Sequence, residues 1–307
     1  MGDRNRYAKF FICLVSAVFI MIVTETNGYP SSGVLLMVKG KVTIQSDGST
    51  YPGKSGLRLK PGDIVNSMGG SASILLSDGK MHQLKKSSSF TVPKKKDEST
   101  QDTLVARLMD TIKETTSRGK GPTVKGMVRG EREIILTYPY NSLITQEELW
   151  FEWEAMEEMK EVEVSLKSMS PALKYSFKVE SGKNKVELPE NAPRLVPGVR
   201  YYWKVQGYEK VENTPYTSKL CWFAIPGAEE VEGLKTDLKK LDGLSGLDEN
   251  NRKFLKANVY ISYGLYNQAS RILEQSLLKF PQDQGLKDLL KGVFLKMKNI
   301  EAAEKVR

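Results

Sequence analysis

The sequence predicts a multidomain protein, mainly β and then α. Three observations carry this. Short alternating apolar runs separated by turn residues fill 33–92, and aromatic-rich alternations fill 133–226. After residue 229 the apolar period changes from two to about 3.6. With 307 residues, 40% of them hydrophobic, the chain is long enough for two or three cores.

Residues 33–92 open with Val34, Leu36 and Val38, then Val42 and Ile44, in strand alternation around Lys39-Gly40. Asp47-Gly48, Pro52-Gly53, Pro61-Gly62-Asp63, Gly69-Gly70 and Asp78-Gly79 punctuate the strands that follow. Evenly spaced short strands of this kind form a sandwich or barrel-like module. Gly62 and Gly79 suit tight turns, and Asp63 and Asp78 suit hydrogen bonds to their own turn backbone. We read these four as structural turn residues and not as metal ligands or catalytic carboxylates. The order Gly40, Val42, Leu59, Gly62-Asp63-Ile64, Gly70, Ser73, Leu75, Asp78-Gly79 and Leu84 resembles the FecR domain of bacterial envelope proteins. That resemblance implies an all-β extracytoplasmic module. The family's signalling members carry a cytoplasmic segment that holds a sigma factor, and only Met1–Lys9 precede the hydrophobic run here.

Residues 93–132 are expected to be a connector rich in Lys, Ser, Thr and Gly, including Lys94-Lys95-Lys96, a flexible 117–121 and a strand entry at Val128-Arg129-Gly130. Within it, Leu104, Val105, Leu108, Met109 and Ile112 recur at helical spacing and predict a short amphipathic helix packed on a neighbour. Residues 133–226 then predict a second sandwich. Phe151 and Trp153, Val162 to Leu166, Tyr175 to Val179, Tyr201 to Val205 and Leu220 to Ile225 alternate around turns at Tyr138–Ser142 and Pro197-Gly198. Leu195-x-Pro197-Gly198-x-x-Tyr201-x-Trp203-x-Val205 resembles bacterial fibronectin type III-like and immunoglobulin-like domains. Trp153 and Trp203 fall on the core phase. Trp150 and Trp222 fall on the opposite phase and are the candidate partner-contact residues.

Residues 229–307 are expected to be helical. Leu234, Leu238 and Leu241 share a face, and Asp248 is placed to cap the next helix. Ala257, Tyr260, Gly264, Tyr266, Ala269, Leu273, Ser276 and Pro281 resemble the roughly 34-residue tetratricopeptide pattern. A second copy carries Phe294, Ile300 and Ala303, with Lys298 at the turn-glycine position. Two repeats and the preceding helix are expected to close a small core and to expose a concave groove.

The N-terminus reads as an export signal over residues 1–28. Arg4, Arg6 and Lys9 precede an uncharged run from Phe10 to Val23, too short for the ~20 residues of a spanning helix. An uncleaved anchor is the alternative. Removal of the signal takes Cys13 with it and leaves Cys221 alone, so no internal disulfide is expected. The net charge of +9 is scattered and mixed in sign, which argues against nucleic-acid binding.

No catalytic, cofactor or metal constellation stands out. His82 is the single histidine, no phosphate or dinucleotide loop occurs, and the pairs Glu147-Glu148 and Glu157-Glu158 have no partner across a cleft. The expectation is a non-catalytic interaction or scaffold protein of the bacterial envelope, at the periplasm or cell surface, that binds a protein or peptide through its helical groove. A transmembrane FecR-like sensor and a cell-wall or glycan-binding protein are the alternatives.

Overall fold

The computed structural model describes residues 32–93, 103–117, 133–154, 159–211 and 215–306. The export signal, Lys94–Lys96, most of the 117–121 stretch, Val128–Gly130 and Glu157-Glu158 lie outside the described residues. The described chain is β-rich through its first part and then helical.

The first unit packs two four-stranded antiparallel sheets. One has the order β4 (Arg58–Leu59), β1 (Gly33–Lys39), β6 (Ser71–Leu76), β7 (Met81–Leu84). The other runs β3 (Ser49–Pro52), β2 (Val42–Ser46), β5 (Ile64–Ser67), β8 (Ser89–Thr91). Leu35, Ile44, Leu59, Val65 and Ile74 fill the space between them. The expected alternation of β1 is not observed: Val34, Leu35, Leu36 and Met37 are all buried. The physical reason is a second cover. Val34, Leu36 and Leu75 point away from the sandwich into a helical layer, so both faces of this sheet are dry.

That layer contains α1 (Thr103–Ser117), α2 (Ala228–Gly243), α3 (Glu249–Ser262), α4 (Tyr266–Lys279), α5 (Gln284–Lys296) and α6 (Ile300–Lys305). Asp248 caps α3 by accepting the Asn251 amide at 2.8 Å, and Asp283 caps α5 by accepting those of Gly285 and Leu286. The α3–α4 and α5–α6 hairpins share one geometry at an offset of 34 residues. Gly264 N–H donates to Ile261 and Leu265 N–H to Tyr260; Lys298 N–H donates to Leu295 and Asn299 N–H to Phe294. Gly264 has φ +72°, and Lys298, at the same place in the second hairpin, has φ +59°. A lysine there accepts a left-handed conformation that costs an L-residue roughly 1 kcal/mol.

The helical tail does not close a core by itself, contrary to expectation. Leu104, Val105, Leu108, Met109 and Ile112 of α1 join Phe254, Leu255, Leu286, Leu289 and Val293 in one cluster that includes the first sheet. Helix α1 packs against α3 and α5. Two glycines permit the approach. A Cβ on Gly292 would stand 2.2 Å from the Thr115 carbonyl oxygen, and one on Gly285 would stand 1.8 Å from that of Ser55. Polar ties fix the contact: Asn251 Nδ2 donates to Ser73 at 2.7 Å, Lys54 meets Asp288 at 2.6 Å, and Ser55 donates to Asp283. Asp237 of α2 accepts from Tyr263 at 2.6 Å and pairs with Arg107 of α1.

The second unit has a three-stranded sheet, β10 (Leu136–Tyr138), β12 (Trp150–Trp153), β15 (Lys185–Glu187), facing a seven-stranded one. The main path of the latter runs β11 (Ser142–Leu143), β18 (Cys221–Ala224), β16 (Arg200–Glu209), β13 (Met159–Met169), β14 (Ala172–Val179). Strands β17 (Pro215–Ser218) and β9 (Glu133–Ile134) extend it beside β16. Phe151, Trp153, Val164, Trp203, Val205 and Phe223 fill the interior. Alternation is clean in β16, where Tyr201, Trp203, Val205 and Gly207 are buried and the residues between are not.

Candidate functional site

The cleft lies where the second β-unit meets the last helices. Its volume is about 790 Å³. One wall is the segment 133–138, which leaves β9 at Ile135 and continues as β10 in the other sheet, with Glu152 and Glu154 beside it; the other is built by α4, α6 and the turn between α5 and α6. Strand β10 is at the end of its sheet, and no described strand pairs with its outer side. An edge of this type presents backbone N–H and C=O groups to whatever lies against it. The register slips by one residue between Leu136 and Tyr138, which marks a bulge at exposed Thr137.

The two walls are fastened at one end of the cleft. Arg271 of α4 lies 4.1 Å over the Tyr138 ring and 4.5 Å from that of Trp150, and reaches Glu152 at 3.9 Å. Tyr138 and Trp150 stack at 4.3 Å, and Lys185 sits 4.4 Å from the Trp150 ring centre. A guanidinium set against an aromatic pair gains cation–π attraction from both rings. At the other fastening, Ser142 Oγ accepts from the Tyr266 amide at 2.9 Å, and Asn267 Oδ1 accepts from the Tyr140 amide at 3.2 Å.

The charge of the walls is acidic. Lys219 pairs with Glu133 at 3.1 Å and Lys305 with Glu301 at 3.1 Å. With Arg271 engaged on Glu152, the lining keeps Glu154, Glu274 and Glu304 without a salt bridge among the described residues, against Lys298. Cys221 borders the cleft but is buried, and burial pushes its thiol up to about 12. Tyr140 is pushed up to about 12 for the same reason, and Tyr138 is raised as well. None of these three supplies a ready nucleophile or base near neutral pH. Among the described residues no group of His, Cys, Asp or Glu is arranged to hold a metal ion.

The candidate contact residues Trp150 and Trp222 lie off the core, and each carries a cation on its ring. Trp150 is half-buried, with Arg271 and Lys185 on its ring and its Nε1–H donating to Glu152 at 3.0 Å. It joins α4 to the β-unit. Trp222 is half-buried beneath Arg200, 4.3 Å from its ring centre. Trp153 and Trp203 are in the core, and the Trp203 indole donates to the Pro139 carbonyl at 2.9 Å. Gly62 and Gly79 adopt φ +88° and +82°. Asp63 accepts the Lys60 amide at 2.7 Å, and Asp78 accepts that of Lys80 at 3.1 Å. His82 stacks on Phe90 at 3.9 Å, and Glu147-Glu148 form part of the 3₁₀ turn Gln146–Glu148.

Arg271, Glu154 and Glu304 were not singled out in the sequence. Arg271 sits four residues after Asn267 on one face of an otherwise legible amphipathic helix, which reads as solvent face until the aromatic pair is in view. Gly285 and Gly292 did leave a signal: two glycines seven apart in a helix share a face and mark close approach. Among the described residues no helix is long and apolar enough to cross a membrane. Neither a protein-family model nor a curated protein matches the chain.

Proposed function

We propose that this chain is a non-catalytic, exported interaction protein that takes up an extended segment of an envelope protein in the cleft along β10. The observation that carries the reading is the open edge of β10 over a cleft of about 790 Å³. Strand addition gives backbone hydrogen bonds to a partner of any sequence, and the wall charges then choose among sequences. Here Glu154, Glu274 and Glu304, which make no salt bridge among the described residues, favour lysine- or arginine-bearing segments. Export rests on the basic start and the Phe10–Val23 run.

The same reading covers the folds. The first unit is FecR-like, on the Gly62-Asp63 and Asp78-Gly79 turns. The second is a fibronectin- or immunoglobulin-like sandwich. Its Tyr201, at the start of β16, accepts the Val196 amide at 2.6 Å, as the tyrosine corner of such sandwiches does. The hairpins are tetratricopeptide-like, on the 34-residue offset. The groove-binding version of the function is replaced, because α1 already occupies the side of α3 and α5 where a peptide would lie.

Deleting 229–307 does not test this, since it strips the cover from Leu36 and Leu75. The test is a photo-crosslinking residue at Thr137, compared with one at Leu278, which is 84% exposed on α4. Crosslinks from Thr137 to an envelope protein, abolished by Glu154→Lys with Glu304→Lys, are expected. Crosslinks from Leu278 alone, or from Thr137 regardless of the two charge reversals, would refute the cleft as the site.

A further inference from the structure

The outer face of the seven-stranded sheet carries a charge opposite to that of its own unit. Residues 133–226 hold 14 acidic and 11 basic side chains. On this face the balance reverses. Side chains of a strand alternate between faces, and Val164, Leu166, Trp203 and Val205 point into the core. Lys167 therefore points outward, between Tyr202 on β16 and Lys174 on β14. In the next rows Ser165 lies between Lys204 and Ser176, and Glu163 between Gln206 and Lys178. Tyr202 extends its row to Trp222, where Arg200 lies across the indole. Glu161 and Glu163 are the outward carboxylates among these cations on the described β13, β14, β16 and β18, since Glu209 at the end of β16 falls on the other phase.

Among the described residues no salt bridge engages Lys167, Lys174, Lys178, Lys204 or Arg200. Lys167 and Lys174 stand directly opposite each other, an arrangement that destabilises a sheet. Fold stability gives no reason for it, whereas an anion laid over the pair would remove the repulsion. Arg200, with its guanidinium carbon 4.3 Å from the Trp222 ring centre, offers the planar fork that suits carboxylate and phosphate groups. Between the cations lie neutral hydroxyl and amide groups: Ser165, Ser176, Tyr202 and Gln206. The row from Trp222 to Lys174 crosses four strands, roughly 14 Å at ~4.8 Å per strand spacing, and is open at both ends.

We propose that this face binds an acidic polysaccharide, its anionic groups on the lysines and Arg200 and its hydroxyls on the serines, Tyr202 and Gln206. A polymer suits an open sheet face better than a small molecule, which needs a concave site. Single-stranded nucleic acid fits less well, because successive bases require free aromatic faces and Arg200 already covers Trp222. None of these residues lines the cleft along β10, so the two sites are independent.

The test is affinity electrophoresis of the full chain through gels containing polygalacturonate, with neutral dextran and single-stranded DNA as separate arms. Polygalacturonate should retard the protein and dextran should not. Lys167→Ser with Lys174→Ser should weaken polygalacturonate binding about tenfold or more, with a reduced salt dependence. Lys85→Ser with Lys86→Ser removes the same charge from exposed positions of the first unit and should leave binding within about twofold. Equal weakening by both pairs would reduce the effect to net charge and overturn the proposal. So would absence of retardation, or DNA bound as tightly as polygalacturonate. Circular dichroism of the double variants excludes misfolding as the cause.

Discussion

The two β-units treat their outer sheet faces in opposite ways. In the first, Val34 and Leu36 of β1 leave the sandwich and enter the helical cluster with Phe254 and Leu286. In the second, Tyr202, Lys204 and Gln206 of β16 turn outward on a face that no described element covers. One sheet has become an internal layer, and the other has stayed a surface. The difference separates what the fold requires from what remains available for recognition. Substitutions on the outer face of the first sheet should unfold the protein; those on the second should alter binding and little else.

The sharpest way to break this comparison is Leu36→Ala. Leu36 is fully buried beneath the helices, so truncation should cost about 2–5 kcal/mol in chemical denaturation. Tyr202→Ala on the open sheet should cost much less, and equal costs would remove the distinction. Next is Gly285→Ala, which has no room beside the Ser55 carbonyl. It should destabilise by about 3 kcal/mol, read as a lowered melting temperature, because the helix must move away from the first unit. Gly182→Ala is no control, since Gly182 has φ +83°; Ser176→Ala serves better and should stay within about 0.5 kcal/mol.

A smaller effect is expected at Asp237, which joins α1 to α2 and α3 through Arg107 and Tyr263. Asp237→Ala should cost about 2 kcal/mol, with Asp237→Asn recovering part of it through the tyrosine bond. A silent Asp237→Ala would mean that α1 is held by its apolar face alone.

The last expected effect is confined to alkaline pH. Burial raises Cys221 from 9.0 to about 12 and Tyr140 from 10.0 to about 12. The folded state keeps both neutral while the unfolded chain ionises them. Their contribution is present below pH 9 and is lost as pH rises from there through about 12. Cys221→Ala should flatten the dependence of melting temperature on pH in that window. The native thiol should also resist alkylation at pH 8 until the protein unfolds.

Much of the fold was legible because its signals are local. Strand alternation located Trp153 and Trp203 in the core, and the positions of Gly62-Asp63 and Asp78-Gly79 are turns whose hydrogen bonds lie within a few residues. The hairpin offset was equally legible, since Gly264 and Lys298 meet the same backbone demand. Trp150 and Trp222 show where legibility stops. Their phase correctly set them off the core, yet phase is silent about what else reaches a residue. Arg271, from a helix more than a hundred positions later, lies on one ring, and Arg200 lies on the other.

Taken alone, the sequence determined the succession of β-rich and helical parts, the turn chemistry and the inward phase of strands with one wet face, such as β16. These follow from backbone geometry and side-chain period, which act over a few residues. Tertiary structure alone decided that α1 packs against α3 and α5, that β1 is dry on both faces and that an acidic cleft opens beside β10. Each depends on which apolar face finds another in space. An exposed helix stripe, a sheet face and a pair of glycines can be read one at a time, but only packing assigns them to each other.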